Sequence, residues 1–135
     1  MSYAMSAALQ SAVYQQLSGD GALSALVGSD IYDALPAGTL PGLYVMLGAE
    51  SARDASDQTG IGAWHDLNVA VVTDAAGFQI AKTVAAAACD ALNGAGLTLD
   101  RGRLVSLRFL KARAKRESGG LRRIDMTFRA RVEDD

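Results

Sequence analysis

The chain has 135 residues, half of them apolar and 6% aromatic, with a formal net charge of -2. That length fits a single domain, residues 1–135, with a real core, and the near-balanced charge excludes wholesale coating of nucleic acid. The lone cysteine, Cys89, excludes an internal disulfide and a cysteine zinc site.

No stretch reaches the roughly twenty apolar residues of a membrane span, and the start lacks the basic-then-apolar pattern of a secretory signal. A soluble, cytoplasmic protein is expected. Along residues 3–17, Met5, Leu9, Ala12, Val13 and Leu17 recur at helical spacing, and Ser18-Gly19 supplies a stop. Asp20 is placed to cap a second, short helix that runs to Val27 and ends at Gly28. Ile31 and Tyr32 read as a brief extended segment, and residues 33–42, with both prolines, as a loop. Residues 43–50 read as a strand with Leu43, Val45, Leu47 and Ala49 on one face. Residues 51–62 are polar and glycine-punctuated, which predicts a long mobile loop. A strand over 63–73 follows, with Leu67, Val69 and Val71 on one face. Asp74 sits where an N-cap belongs for a helix carrying Phe78, Ile80, Ala81, Val84, Ala88, Ala91 and Leu92, closed by Asn93-Gly94.

Residues 103–132 carry the strongest pattern, a long β-hairpin. Ile124, Met126, Phe128, Ala130 and Val132 alternate with Arg123, Asp125, Thr127, Arg129 and Arg131, the period of a strand with one buried face. In the first arm, Val105, Leu107 and Phe109 share a parity, but Leu110, Ala112 and Ala114 take the opposite one, which predicts a bulge near Phe109 and Leu110. Glu117-Ser118-Gly119-Gly120 supplies the reversal. Arms of about twelve residues reach on the order of 40 Å, so the tip is expected to project beyond a small domain. Eleven of the thirteen basic residues lie between Arg101 and Arg131, leaving the rest acidic. A basic arm on an acidic body suits docking, to another copy or to nucleic acid, or is simply a solvated face. The whole predicts an α+β fold: a mainly antiparallel four-stranded sheet, helices packed on one face, and a long C-terminal β-hairpin.

The residues offer little reaction chemistry. His65 is the only histidine, and in a strand its neighbour Asp66 points to the opposite face, so a surface or partly packed histidine is expected. Asp30 with Asp33, and Asp54 with Asp57, lack calcium-loop spacing and suit turns. Gly60-Ile61-Gly62 and Gly94-Ala95-Gly96 do not form a phosphate-binding loop, and no serine lies in a nucleophile elbow. No enzyme activity, cofactor or metal is expected.

Three strings in this order and spacing are distinctive: residues 22–48 (ALSALVGSDIYDALPAGTLPGLYVMLG), 64–92 (WHDLNVAVVTDAAGFQIAKTVAAAACDAL) and 103–133 (RLVSLRFLKARAKRESGGLRRIDMTFRARVE). Over nearly the whole chain they resemble the tail-terminator, or tail-completion, proteins of long-tailed phages and gene transfer agents. The resemblance implies a non-enzymatic virion subunit that forms a hexameric ring at the head-proximal end of the tail tube. Such a ring stops tube growth, joins the head-side connector and passes DNA without sequence specificity. The candidate contacts to a neighbouring subunit or to DNA are Arg108, Lys111, Arg113, Lys115, Arg116, Arg122, Arg123, Arg129 and Arg131. The candidate tail-tube contact loop contributes Arg53, Asp54, Asp57 and Gln58. The alternative is a small DNA-binding module built on the same basic hairpin, which the shortage of stacking aromatics on that arm disfavours.

Overall fold

The structure, a computed structural model, describes residues 3–57 and 60–134. Two helices open the chain, α1 (Ser6–Ser18) and α2 (Gly21–Val27). Leu9, Val13 and Leu17 bury one stripe of α1, and the Asp20 carboxylate accepts the Leu23 N–H at 3.0 Å, the expected cap of α2. Strands β1 (Ile31–Tyr32), β2 (Leu43–Asp54) and β3 (Ile61–Thr73) precede helix α3 (Gln79–Leu92), and β4 (Arg103–Arg116) and β5 (Arg122–Asp134) close the chain.

The α+β class stands, but the sheet has five strands rather than four and is mixed, in the order β1-β2-β3-β5-β4. The extra strand is the two-residue segment at Ile31 and Tyr32, which pairs parallel with Val45 and Met46; the remaining pairings are antiparallel. The helices cover one face. There Leu9, Leu17, Leu23, Val84, Ala88 and Leu92 meet Val45, Val69, Val71, Met126, Phe128 and Ala130 in one apolar core. Each fully buried Leu, Val or Phe contributes roughly 1.5–3 kcal/mol, so this layer holds the fold together.

Three expectations about the hairpins need correction. Half of the polar run 51–62 is strand, because β2 continues to Asp54 and β3 begins at Ile61; the Ala55 N–H and Asp57 N–H bond back to the carbonyls of Gly62 and Gly60. Polarity there marks the exposed outer strand of a ladder rather than a loop. Gln58 lies outside the described residues. Second, β2 carries a bulge between Leu47 and Glu50, so Glu50 replaces Ala49 on the helix side and Ala49 is exposed. Third, the C-terminal hairpin does not stand free: β5 pairs with β3 from Asp134 at Ile61 to Arg122 at Thr73. Only the turn at the tip passes the end of β3.

Other features match. A register shift falls between Phe109 and Lys111, where the change of parity predicts a bulge. Gly119 and Gly120 take φ of 76° and 78° in the reversal, a region open to glycine at no steric cost. The helix after β3 departs from expectation, since it starts at Gln79 without a side-chain cap. Asp74 instead gives its N–H to the Gly42 carbonyl, and Thr73 Oγ1 accepts the Ala75 N–H.

Candidate functional site: the open sheet face and the β4 edge

The ladder fixes which candidate cations share a surface. Arg108, Lys111, Arg113 and Lys115 on β4 stand opposite Arg129, Thr127, Asp125 and Arg123 on β5. Together with Arg131 and Arg53 they occupy the sheet face that no helix covers. Arg116 and Arg122 have the other parity, opposite Thr73 on the helix side.

Proximity separates these residues into two groups. Those of β5 are engaged locally. Arg129 forms a two-pronged bond to Asp66 at 2.8 and 3.0 Å, which holds the Asp66 carboxyl below the usual carboxylate range and raises the Arg129 guanidinium above its own. Arg123 bonds Asp125 at 2.9 Å. Arg131 lies over the Trp64 ring at 5.5 Å, with Arg53 also against that ring at 5.9 Å. Arg122 donates to the Ala75 carbonyl at 3.0 Å and lies over Phe78, tying the hairpin to the start of α3.

On β4 the pattern reverses. Lys115 reaches Glu117 at 3.5 Å, but Arg108, Lys111, Arg113 and Arg116 form no ion pair among the described residues. The strand from Arg108 onward is exposed throughout, including Phe109 at 40% and Leu110 at 43%. β4 is also the sheet edge. Its first half is capped: Asn93 Oδ1 accepts the Phe109 N–H at 2.9 Å, and the Gly94 N–H donates to the Leu107 carbonyl at 2.7 Å. Beyond Phe109 no such cap is present among the described residues. A shallow depression of about 350 Å³, bordered by Ser51, Asp66, Lys111 and Arg129, lies on the helix-free face.

The tube-contact residues serve the turn itself. Ser56 Oγ donates to Asp54 at 2.7 Å, and Asp57 Oδ1 accepts the Gly60 N–H at 3.0 Å. Arg53 belongs to the face around Trp64.

His65 is the largest departure among single residues. It is fully buried, not at the surface, and its Nδ1 lies 2.9 Å from Glu50 Oε2. The bulge in β2 brings Glu50 there. Ser6 Oγ donates to the same carboxylate at 2.9 Å, and the Tyr3 hydroxyl donates as well. Burial alone would raise the Glu50 carboxyl, but the bonds from Tyr3, His65 and Ser6 outweigh it and the net shift is downward. The sequence reading missed this cluster because Glu50 and His65 come together only through the bulge. The visible signal was the Gly48 within an otherwise regular strand. Ser6 donates to the carboxylate rather than to an imidazole, and His65 Nε2 is buried without a partner, so the arrangement fastens the N-terminal segment to β2. It lacks the nucleophile-to-base contact that acyl transfer needs. Among the described residues no group of three or more His, Cys, Asp or Glu side chains is arranged to hold a metal, and no helix is long and apolar enough to cross a membrane.

Fold and surface together define an α+β domain with an open, basic sheet face and edge. Residues 11–133 match the family model described as tail completion protein gp17, and the chain belongs to that family. It is therefore a tail-associated structural protein of a virion. Among solved structures, a chain of the "Virion of native gene transfer agent (GTA) particle" is 60% identical, with a TM-score of 0.93, over 98% of this chain and 99% of that one. Comparison with curated protein sequences produces no match.

Proposed function

We propose that this chain is the tail terminator of a gene transfer agent or related phage-like particle. It forms a closed ring, hexameric by the family resemblance, at the head-proximal end of the tail tube. The ring ends tube polymerisation and presents its other face to the head-side connector, and DNA passes through its centre. The likeness to a gene transfer agent virion chain over almost the full length of both chains supports this most strongly.

Physical features support it too. A ring is built from heterologous contacts, in which one surface of a copy meets a different surface of the next. Residues 101–135 hold eleven basic and five acidic residues, and residues 1–100 hold two basic and ten acidic, so the two parts attract across copies. The role is structural rather than catalytic, because the one buried His–Glu pair is committed to fastening the N-terminus. Particles made without this chain should carry tubes of uncontrolled length that do not join capsids. Normal tube length and normal joining in its absence would refute the proposal.

The second reading, a DNA-binding module, draws on Arg108, Lys111, Arg113 and Arg116, which form no ion pair among the described residues. Direct duplex affinity that falls steeply with salt would favour it.

A further inference from the structure

Both rims of the sheet are open, and at opposite ends. On one rim, β4 beyond Phe109 has no strand or cap on its outer side. On the other, β1 covers β2 only at Val45 and Met46, leaving β2 from Leu47 to Asp54 without an outer strand among the described residues. The geometry points to sheet extension between copies: residues 110–116 of β4 pair antiparallel with residues 48–54 of β2 in the next copy. This rests on the ring proposed above and names the contact that closes it.

Strand direction, parity and stagger agree. β2, β3, β5 and β4 alternate in direction, so in a ring of identically oriented copies β4 meets the neighbouring β2 antiparallel, and the whole sheet continues in one pattern. In this register Arg113 meets Ser51 and Lys111 meets Arg53 on the helix-free face, while Glu50 and Asp54, on the other face, meet Ala114 and Leu110, so the contact rests on backbone bonding rather than on charge. Cations and a bulge on an edge strand guard against indiscriminate pairing, so a partner has to match the register of this edge.

The Asn93 bond shows that the Phe109 N–H points away from β5. Alternation carries that orientation past the bulge to Ala112 and Ala114, which stand opposite Met126 and Ile124. Those two N–H groups are free to bond a neighbour. Arg113 and Ser51 both lie on the helix-free face, opposite Asp125 and Asp66.

The stagger is the stricter check. Arg113 is level with Asp125 and Ala70, and Ser51 with Asp66. The two open segments are thus offset by four residues along β3, about 13 Å at roughly 3.3 Å per residue. Each copy adds four strands, about 19 Å at ~4.8 Å apiece. Bringing the segments level requires a strand tilt of about 35°, within the roughly 35–45° range of closed barrels.

The test uses the full chain with Cys89→Ser and one new cysteine on each rim, Arg113→Cys with Ser51→Cys or Ala49→Cys. Within one copy these positions lie across four strands, too far apart for a disulfide, which needs Cα atoms within about 7 Å. Oxidation of assembled tails, and of the purified protein at high concentration, should yield a ladder of disulfide-linked multimers ending at the ring number. Ala112→Pro, which removes an outward N–H and spares the bonds to β5, should fold as the wild type does yet raise the concentration for half assembly about tenfold or more. A ring of normal mass that neither cysteine pair links, or that Ala112→Pro leaves unchanged, overturns the edge pairing while leaving the ring intact. Absence of any ring in assembled tails overturns both.

Discussion

β4 and β5 are adjacent strands of one hairpin, each rich in arginine, and they are built for different work. Arg123, Arg129 and Arg131 on β5 are neutralised or stacked by Asp125, Asp66 and Trp64, whereas Arg108, Lys111 and Arg113 on β4 are exposed and form no close ion pair among the described residues. Composition alone treats the two strands as one basic arm. Position in the sheet divides them: a strand with neighbours on both sides finds partners for its charges, and the charges of an edge strand stay in solvent.

The contrast can be broken or sharpened by substitution. The largest effect is expected at Phe128, fully buried on β5; Phe128→Ala should cost about 3–5 kcal/mol in denaturant unfolding. Its β4 counterpart Phe109, which meets it edge-on at 5.8 Å and is half exposed, should cost less than about 1 kcal/mol when cut to Ala. Equal costs would erase the distinction.

Next comes Gly102, at the entry to β4, with φ +68° and a would-be Cβ 2.5 Å from the Glu133 carbonyl oxygen. Gly102→Ala should destabilise by about 2 kcal/mol, read from the unfolding midpoint.

Asp66→Asn removes the doubly bonded partner of Arg129 and should cost about 1 kcal/mol. It also carries a pH signature. Asp66 and Glu50 both have folded-state pKa values below their unfolded ones, so their contribution is complete above the unfolded carboxylate pKa of about 4 and disappears as pH falls through the lower folded values. A pH series of melting temperatures should show an acid loss in the wild type that is smaller in Asp66→Asn.

The smallest effects belong to the free cations. Arg108→Gln and Arg113→Gln should change stability by less than about 0.5 kcal/mol, while Arg122→Gln, which loses its bond to Ala75, should cost about 1 kcal/mol. A clear destabilisation by Arg113→Gln would mean that β4 charges are structural after all.

Much of the fold was legible because local pattern and tertiary burial agree. Leu9, Val13 and Leu17 on α1, the Asp20 cap, the alternation of β5 and the parity change at Leu110 each signal the element they form. The exceptions share a cause: they depend on which strand lies next door. Residues 51–54 read as loop because they lie on the outer strand of that ladder and are polar and mostly exposed, while their buried partners His65 and Ala63 sit on β3. Ile31 and Tyr32 are too short to signal a strand without β2 beside them. The Glu50–His65 contact needs the β2 bulge and the β2–β3 register together. Within the candidate site, the basic residues were visible as a set, but their division into engaged and free was not, since Asp66, Trp64 and Asn93 reach them only through the assembled sheet.

The proposed terminator role is tested most directly by imaging tails that carry this chain and weighing the complex it forms there. A single closed ring of copies at the head-proximal end of each tube is the expected result. Copies spaced along the tube wall, or tails that contain no ring of this chain, would contradict it.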